Sequence, residues 1–306
     1  SLVLLANMVT ETSTAVLQIG GHFRSQAVLN VAQYALTTSL VIAALFINGS
    51  FVFVFWAYML GKLLYGAGVM AAALRWVKPM FGEAWAKASF MDLPDRRELV
   101  KFAVSTNLSG TVNMIIRDSE VLWIGYFLNK TEAGYYNFAR NVVIGAMMPI
   151  APMVNALFPE LSKIVARRDW QPLRMIIQRT TALALLYCGL VAGGLLLLGR
   201  PLLSFLGDGV YLPSLPVVFV LLVGYAAANI VFWNRAVLLS FDHPNTPLFI
   251  TAGVGAVKTA LLFILVRPYG MLAQAGLLSG YFVITSLWIT WRALAVFRQR
   301  QEREAG

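Results

Sequence analysis

The sequence predicts an all-α polytopic membrane protein with about nine transmembrane helices. Two observations carry that reading. The 306 residues are 59% hydrophobic and only 12% charged, with a mean hydropathy of +0.71, whereas soluble domains average about 25% charged residues. The apolar residues also gather into runs of roughly 20, the length a helix needs to cross the hydrocarbon layer. These runs lie at about 2–19, 27–47, 51–74, 103–127, 133–158, 180–199, 214–239, 247–266 and 271–291.

The first run begins almost at Ser1, with no basic region or cleavage site before it, so further helices are expected upstream. Its polar residues Asn7, Glu11, Thr14 and Gln18 are spaced 4, 3, 4, and those of the second, Asn30, Gln33 and Thr37, 3, 4. Each set makes one stripe on a helix. The third run carries Lys62 near its middle and is followed by a longer connection. Residues 76–97 hold Pro79, Gly82 and Pro94, with Phe81, Trp85 and Phe90 among charges, which reads as an amphipathic cytoplasmic linker between two helical lobes.

The fourth run repeats the pattern with Thr106, Gly110, Asn113, Arg117 and Glu120, spaced 4, 3, 4, 3 amid apolar neighbours. Lipid does not accept such a stripe, so it must face protein or water. On a regular helix Arg117 and Glu120 share a face and could pair, while Asp118 points elsewhere. The fifth run carries Asn137, Arg140, Asn141, Met148, Pro152, Asn155 and Pro159. Later runs add Arg235, five residues from an inner end, and Lys258 at mid-span. Single polar residues can simply glue helices together. Several aligned stripes with mid-membrane cations describe the lining of a hydrated, positively charged cavity.

Turn signals separate the runs: Asn48-Gly49-Ser50, Asn129-Lys130-Thr131, Asp242-His243-Pro244-Asn245 and Arg267-Pro268-Tyr269-Gly270. Asn129-Lys130-Thr131 also fits a glycosylation sequon, but a turn is the simpler reading. Placing the 20–26 turn in the cytoplasm and alternating puts sixteen basic residues inside and three, Lys130, Arg200 and Arg267, outside. That asymmetry supports nine crossings and a cytoplasmic C-terminal tail, 298–306. Five basic residues remain within the spans. Lys62, Arg117 and Lys258 sit where a cation costs about 3 kcal/mol or more. Arg140 and Arg235 are near enough to the ends to snorkel.

Ala15-Val16-Leu17 with His22 recurs as Ala236-Val237-Leu238 with His243, at a constant offset of 221. Each copy ends a helix and leads through a polar turn, which hints at two related halves in parallel orientation. The histidines read as turn residues. Gly189-x-x-x-Gly193 and Gly276-x-x-x-Gly280 fit close helix packing.

Several chemistries lack their residues. Cys188 is the one cysteine, which excludes an internal disulfide and a cysteine-rich metal site. There is no HExxH and no GxxxxGK[ST], so neither a zinc hydrolase nor an ATPase is expected. No cofactor, metal site or nucleic-acid partner is expected; the basic residues follow topology.

The segments Asp118-Ser119-Glu120-Val121-Leu122-Trp123-Ile124-Gly125, Glu132-Ala133-Gly134-Tyr135-Tyr136-Asn137-Phe138-Ala139-Arg140 and Leu157-Phe158-Pro159-Glu160-Leu161-Ser162-Lys163 resemble the polysaccharide transporter (Wzx-like flippase) family. That family belongs to the multidrug/oligosaccharidyl-lipid/polysaccharide exporter superfamily. The resemblance implies two six-helix lobes around a central cavity. On that pattern the chain corresponds to helices four to twelve and lacks the first three. Residues 1–75 would be a partial N-lobe and 98–297 a complete C-lobe.

The implied activity is alternating-access transfer of undecaprenyl-diphosphate-linked oligosaccharide across the bacterial inner membrane, for lipopolysaccharide or exopolysaccharide synthesis, without enzymatic catalysis. Arg117, Lys62 and Lys258, with Arg140 and Arg235, would attract the diphosphate. Glu11, Asp118 and Glu120 would carry a coupling proton, take part in sodium coupling, or pair with those cations. A lipid II flippase is a close alternative. A drug/cation antiporter of the same superfamily is disfavoured by five in-span cations against three acids. A membrane glycan polymerase or ligase is disfavoured too, because the longest outer loop, about 200–213, has only Arg200 and Asp208 as charges.

Overall fold

The computed structural model describes residues 2–47, 50–82, 114–241, 243 and 245–305. The expected linker from residue 83 onward, and Thr106, Gly110 and Asn113 of the fourth stripe, lie outside them. The chain divides into two compact units, Ser1–Val100 and Lys101–Gly306.

The first unit contains α1 (Leu2–Ile19), α2 (Phe23–Ile47) and α3 (Phe51–Phe81). α3 packs against both of the others. Leu17, Val69 and Ala73 form its buried centre, with Leu29 and Tyr65 against them. A β-carbon on Gly61 would strike the Thr37 hydroxyl, so glycine lets α2 and α3 approach there. α3 continues past the expected boundary at 75. Its Arg75, Trp76 and Lys78 favour helix, and Pro79 falls in the last turn.

The second unit opens with a π-helical turn, Met114–Asp118, followed by α4 (Glu120–Phe127). α5 (Lys130–Met147) begins on Asn129, whose side chain accepts from the Glu132 amide at 2.8 Å, so the sequon pattern is a helix cap. The expected fifth span is broken by a 3-10 turn at Met148–Ile150 before α6 (Ala151–Arg167). Pro149 lacks the amide that would continue α5. α7 (Trp170–Phe205) is a single long helix. The expected seventh span is also broken, into α8 (Leu215–Ile230) and α9 (Trp233–Ser240), around the non-helical Val231.

α10 (Asn245–Ala305) is interrupted at Gly270, with φ 67° and ψ −157°, a conformation open to glycine. Its two limbs fold back on one another. Val254 packs against the core cluster that holds Leu278, and Ile250 shares the other cluster with Ile289, which lies nearly as far beyond Gly270 as Ile250 lies before it.

Among the described residues five helical stretches are long and apolar enough to cross a membrane: Arg24–Ile47, Val52–Met80, Trp170–Phe205, Leu212–Ser240 and Asn245–Glu302. Their outer faces carry exposed Leu185, Leu190, Leu197 and Ile264, as a lipid-facing surface requires. The protein is an all-α polytopic membrane protein.

The offset repeat has a structural counterpart. The His22 amide donates to the Leu17 carbonyl at 2.8 Å, and the His243 amide to Leu238 at 2.9 Å. Gly20 to Val16 and Phe241 to Val237 both measure 3.1 Å, and Leu17 and Leu238 are both wholly buried. His22 stacks on Trp76 and His243 is exposed. The GxxxG pairs behave otherwise: a β-carbon on Gly189, Gly193, Gly276 or Gly280 would meet nothing within 4 Å. Those glycines make no close helix crossing among the described residues. In the second unit a close helix crossing is made instead by Gly224 of α8 against the Ser279 backbone of α10.

Candidate functional site

Glu120 opens α4 fully buried, and both carboxylate oxygens are occupied. The Lys258 ammonium of α10 donates to one and the Tyr136 hydroxyl of α5 to the other. Lys258 is itself 4% exposed and also donates to the Ile116 carbonyl. The backbone makes that contact available. Residues 114–118 adopt the wider π spacing, and Gly255, one turn before Lys258, leaves room for the Ile116 side chain against α10. Gln274, on the second limb of α10, is wholly buried, and neither end of its amide has a hydrogen-bond partner among the described residues.

This arrangement corrects two expectations. Lys258 does not stand free toward a substrate; its charge is neutralised within the helix bundle. Arg117 does not pair with Glu120. The i, i+3 rule assumes an α-helix, but a π turn and the bend at Ser119 separate these residues. Glu120 turns into the core and Arg117 is exposed.

Arg117 lines a cavity of about 480 Å³ within the second unit, with Met147, Met148, Tyr225, Asn229 and Phe282. Its guanidinium lies 5.2 Å from the Phe282 ring centroid. Among the described residues it makes no ion pair. Asp118 and Arg140 bridge at 3.2 Å, so Arg140 does not simply snorkel. The Asp118 side chain in that bridge is 60% exposed. Arg235 is exposed on α9 and is not among the residues lining this cavity.

The first unit holds a different pocket, of about 360 Å³, where the stripes of α1 and α2 meet Lys62 of α3. Glu11 and Lys62 both line it and both are exposed. Lys62 lies 5.9 Å from the Tyr58 ring centroid. Sequence reasoning placed Glu11 and Lys62 in separate roles, and the structure brings them to one pocket.

A family described as polysaccharide biosynthesis protein matches residues 1–165. That span covers more than half of the chain, and it includes the π turn, Glu120, Tyr136 and the Asp118–Arg140 bridge. The chain belongs to the polysaccharide biosynthesis protein family. No curated protein and no solved structure matches it significantly. The family match and the apolar helices together describe a multi-pass membrane protein of polysaccharide transport.

Within this family member, Tyr136, Gln274, Tyr225 and Phe282 are site residues that sequence reasoning missed. Gln274 had a signal, as a lone amide in the apolar run Met271-Leu272-Ala273-Gln274-Ala275. Tyr136 sat inside the AGYY segment used for the resemblance. The two others looked like ordinary membrane aromatics.

Proposed function

We propose that the chain is a flippase for undecaprenyl-diphosphate-linked oligosaccharide in the bacterial inner membrane, serving lipopolysaccharide or exopolysaccharide synthesis by alternating access. The observation that carries this reading is Arg117, an exposed guanidinium without an ion-pair partner among the described residues, in a largely apolar cavity that Met147, Met148, Tyr225 and Phe282 line together with Asn229. A diphosphate is the headgroup such a site suits. Guanidinium binds phosphate oxygens bidentately, and the aromatic and methionine lining suits apolar surface. Arg235, exposed in the same unit, is a further cation the headgroup can meet, and Arg140 becomes one when its bridge to Asp118 opens.

Glu120 is the coupling group in this reading. A proton or sodium ion arriving there would compete with Lys258 for the carboxylate and loosen α4 from α10. Asp118, the more accessible acid of the same unit, would pass the ion on, and Glu11 would be the corresponding acid of the first unit. The charge asymmetry of the loops supports a cytoplasmic C-terminus.

The test is export of surface polysaccharide in cells lacking the endogenous protein, complemented by full-length wild type or Arg117→Ala. The variant should reach the membrane at wild-type levels and export at least about tenfold less glycan, the change that loss of a charge-assisted contact of about 1.5–3 kcal/mol produces. Unchanged export at equal membrane levels would sink the assignment.

A further inference from the structure

The pocket of the first unit has a chemistry unlike that of the Arg117 cavity. Its wall sets amides and hydroxyls, Gln26, Asn30 and Gln33 from α2, Thr14 from α1, and Tyr34 and Tyr65, beside the apolar Met59 and Leu63 of α3. Its two charges, Glu11 and Lys62, are opposite and cancel. Asn30 is already engaged, accepting from the Tyr65 hydroxyl. Gln33 is not. It is 8% exposed, lines the pocket, and its amide makes no hydrogen bond among the described residues. A buried amide is normally satisfied, and one that reaches a cavity without a partner is poised for a ligand. Tyr34 is 69% exposed and offers an aromatic face at the rim.

We infer that this pocket is a subsite for a neutral sugar, a hexose or N-acetylhexosamine, of the lipid-linked glycan. The inference rests on the transport reading above and adds a recognition site for the glycan, separate in chemistry from the diphosphate contact. Vicinal hydroxyls both donate and accept, which matches side-chain amides and a carboxylate. The C–H face of a sugar ring packs on tyrosine. A balanced Glu11–Lys62 environment favours no net charge on the ligand, and this distinguishes it from an anion site. The volume, about 360 Å³, lies within the ordinary range for small-ligand pockets, roughly 300–1,000 Å³. The wall of α2, from Gln26 to Tyr34, belongs to the half of that helix nearest the 20–22 turn, the turn that the charge asymmetry assigns to the cytoplasm.

The test is lipid binding to the full-length chain in nanodiscs, using undecaprenyl diphosphate that is bare, capped with one N-acetylhexosamine or hexose, or capped with a hexuronic acid. The neutral-sugar lipid should bind about tenfold more tightly than the bare lipid, and the uronic acid should confer no such gain. Gln33→Leu, which keeps the side-chain volume, should abolish the gain while leaving bare-lipid binding and the melting temperature unchanged. Tyr34→Ala, on the exposed rim, should weaken it. Equal binding of bare and neutral-sugar lipids, a gain for the uronic acid, or a gain that survives Gln33→Leu would each overturn the sugar subsite while leaving diphosphate recognition standing. Failure of all three lipids to bind the wild type would instead overturn both readings. Loss of the gain in the presence of excess free monosaccharide would support the sugar itself as the recognised part.

Discussion

Lys258 is bonded to Glu120, 138 residues earlier in the chain, and the two form a buried ion pair that ties α10 to α4. A pair of this kind is held by its own completeness: Tyr136 takes the second carboxylate oxygen and Ile116 the second ammonium donor. Removing one partner strands a charge in a low-dielectric interior and destabilises by about 3–5 kcal/mol. Lys258→Met and Glu120→Leu should therefore each lower the melting temperature of the detergent-solubilised chain sharply. The double substitution should recover most of the loss, leaving about 1–3 kcal/mol for the stranded Tyr136 hydroxyl. If Lys258 were a substrate contact instead, Lys258→Met would reduce export and leave the melting temperature unchanged.

Arg117 and Phe282 give a second prediction. The guanidinium sits over the ring at 5.2 Å, an interaction of about 0.5–2 kcal/mol that also fixes the side chain's direction. Arg117→Lys keeps the charge but loses the planar fork, so export should remain well below wild type. Phe282→Leu keeps Arg117 and removes its platform. It should raise the substrate concentration needed for half-maximal transport by up to about tenfold, with a smaller change in maximal rate. Wild-type kinetics in Phe282→Leu would show that the ring does not position Arg117.

The membrane class and the course of the helices were legible because lipid enforces them. Apolar runs, turn residues and loop charges all report the same solvent. The broken spans were only partly so. Pro149 marks the first break, but nothing in Ile230-Val231-Phe232-Trp233 announces the second. The π turn was invisible for the same reason: Met114-Ile115-Ile116-Arg117-Asp118 reads as ordinary helix, and the extra residue per turn shows only in the backbone. That one irregularity moved Arg117 away from Glu120 and changed the partner assignment. Pairing between α4 and α10 is a tertiary fact, so the spacing of residues along one helix could not reveal Lys258 as the partner.

Asp118 and Arg140 provide a contrasting ion pair. Their side chains are 60% and 19% exposed and 3.2 Å apart, and accessible pairs contribute about 0–1 kcal/mol. Asp118→Asn should therefore shift the melting temperature little, unlike Glu120→Leu in the same unit. Its functional effect should depend on salt if the freed Arg140 then attracts headgroup phosphate, with lipid binding strengthened at low ionic strength and the difference fading as salt is raised. A large stability loss in Asp118→Asn would mean the bridge is more deeply desolvated than its exposure indicates.

The crossing of α8 and α10 supplies the last prediction. A β-carbon on Gly224 would collide with the Ser279 backbone, and backbone cannot rotate away as a side chain can. Ser279 is held in place by donating to the Val220 carbonyl, so the two helices meet through a glycine on one side and a tethered serine on the other. Gly224→Ala must push the helices apart near the Arg117 cavity, at a cost of about 1–3 kcal/mol, and Gly224→Val should cost more. Gly276→Ala tests the alternative that any small residue on α10 matters. Among the described residues its added methyl meets nothing within 4 Å, so it should leave stability within about 0.5 kcal/mol. Thermal unfolding of the three variants in one detergent would separate the two cases. Equal destabilisation by Gly224→Ala and Gly276→Ala would place the tight crossing elsewhere on α10.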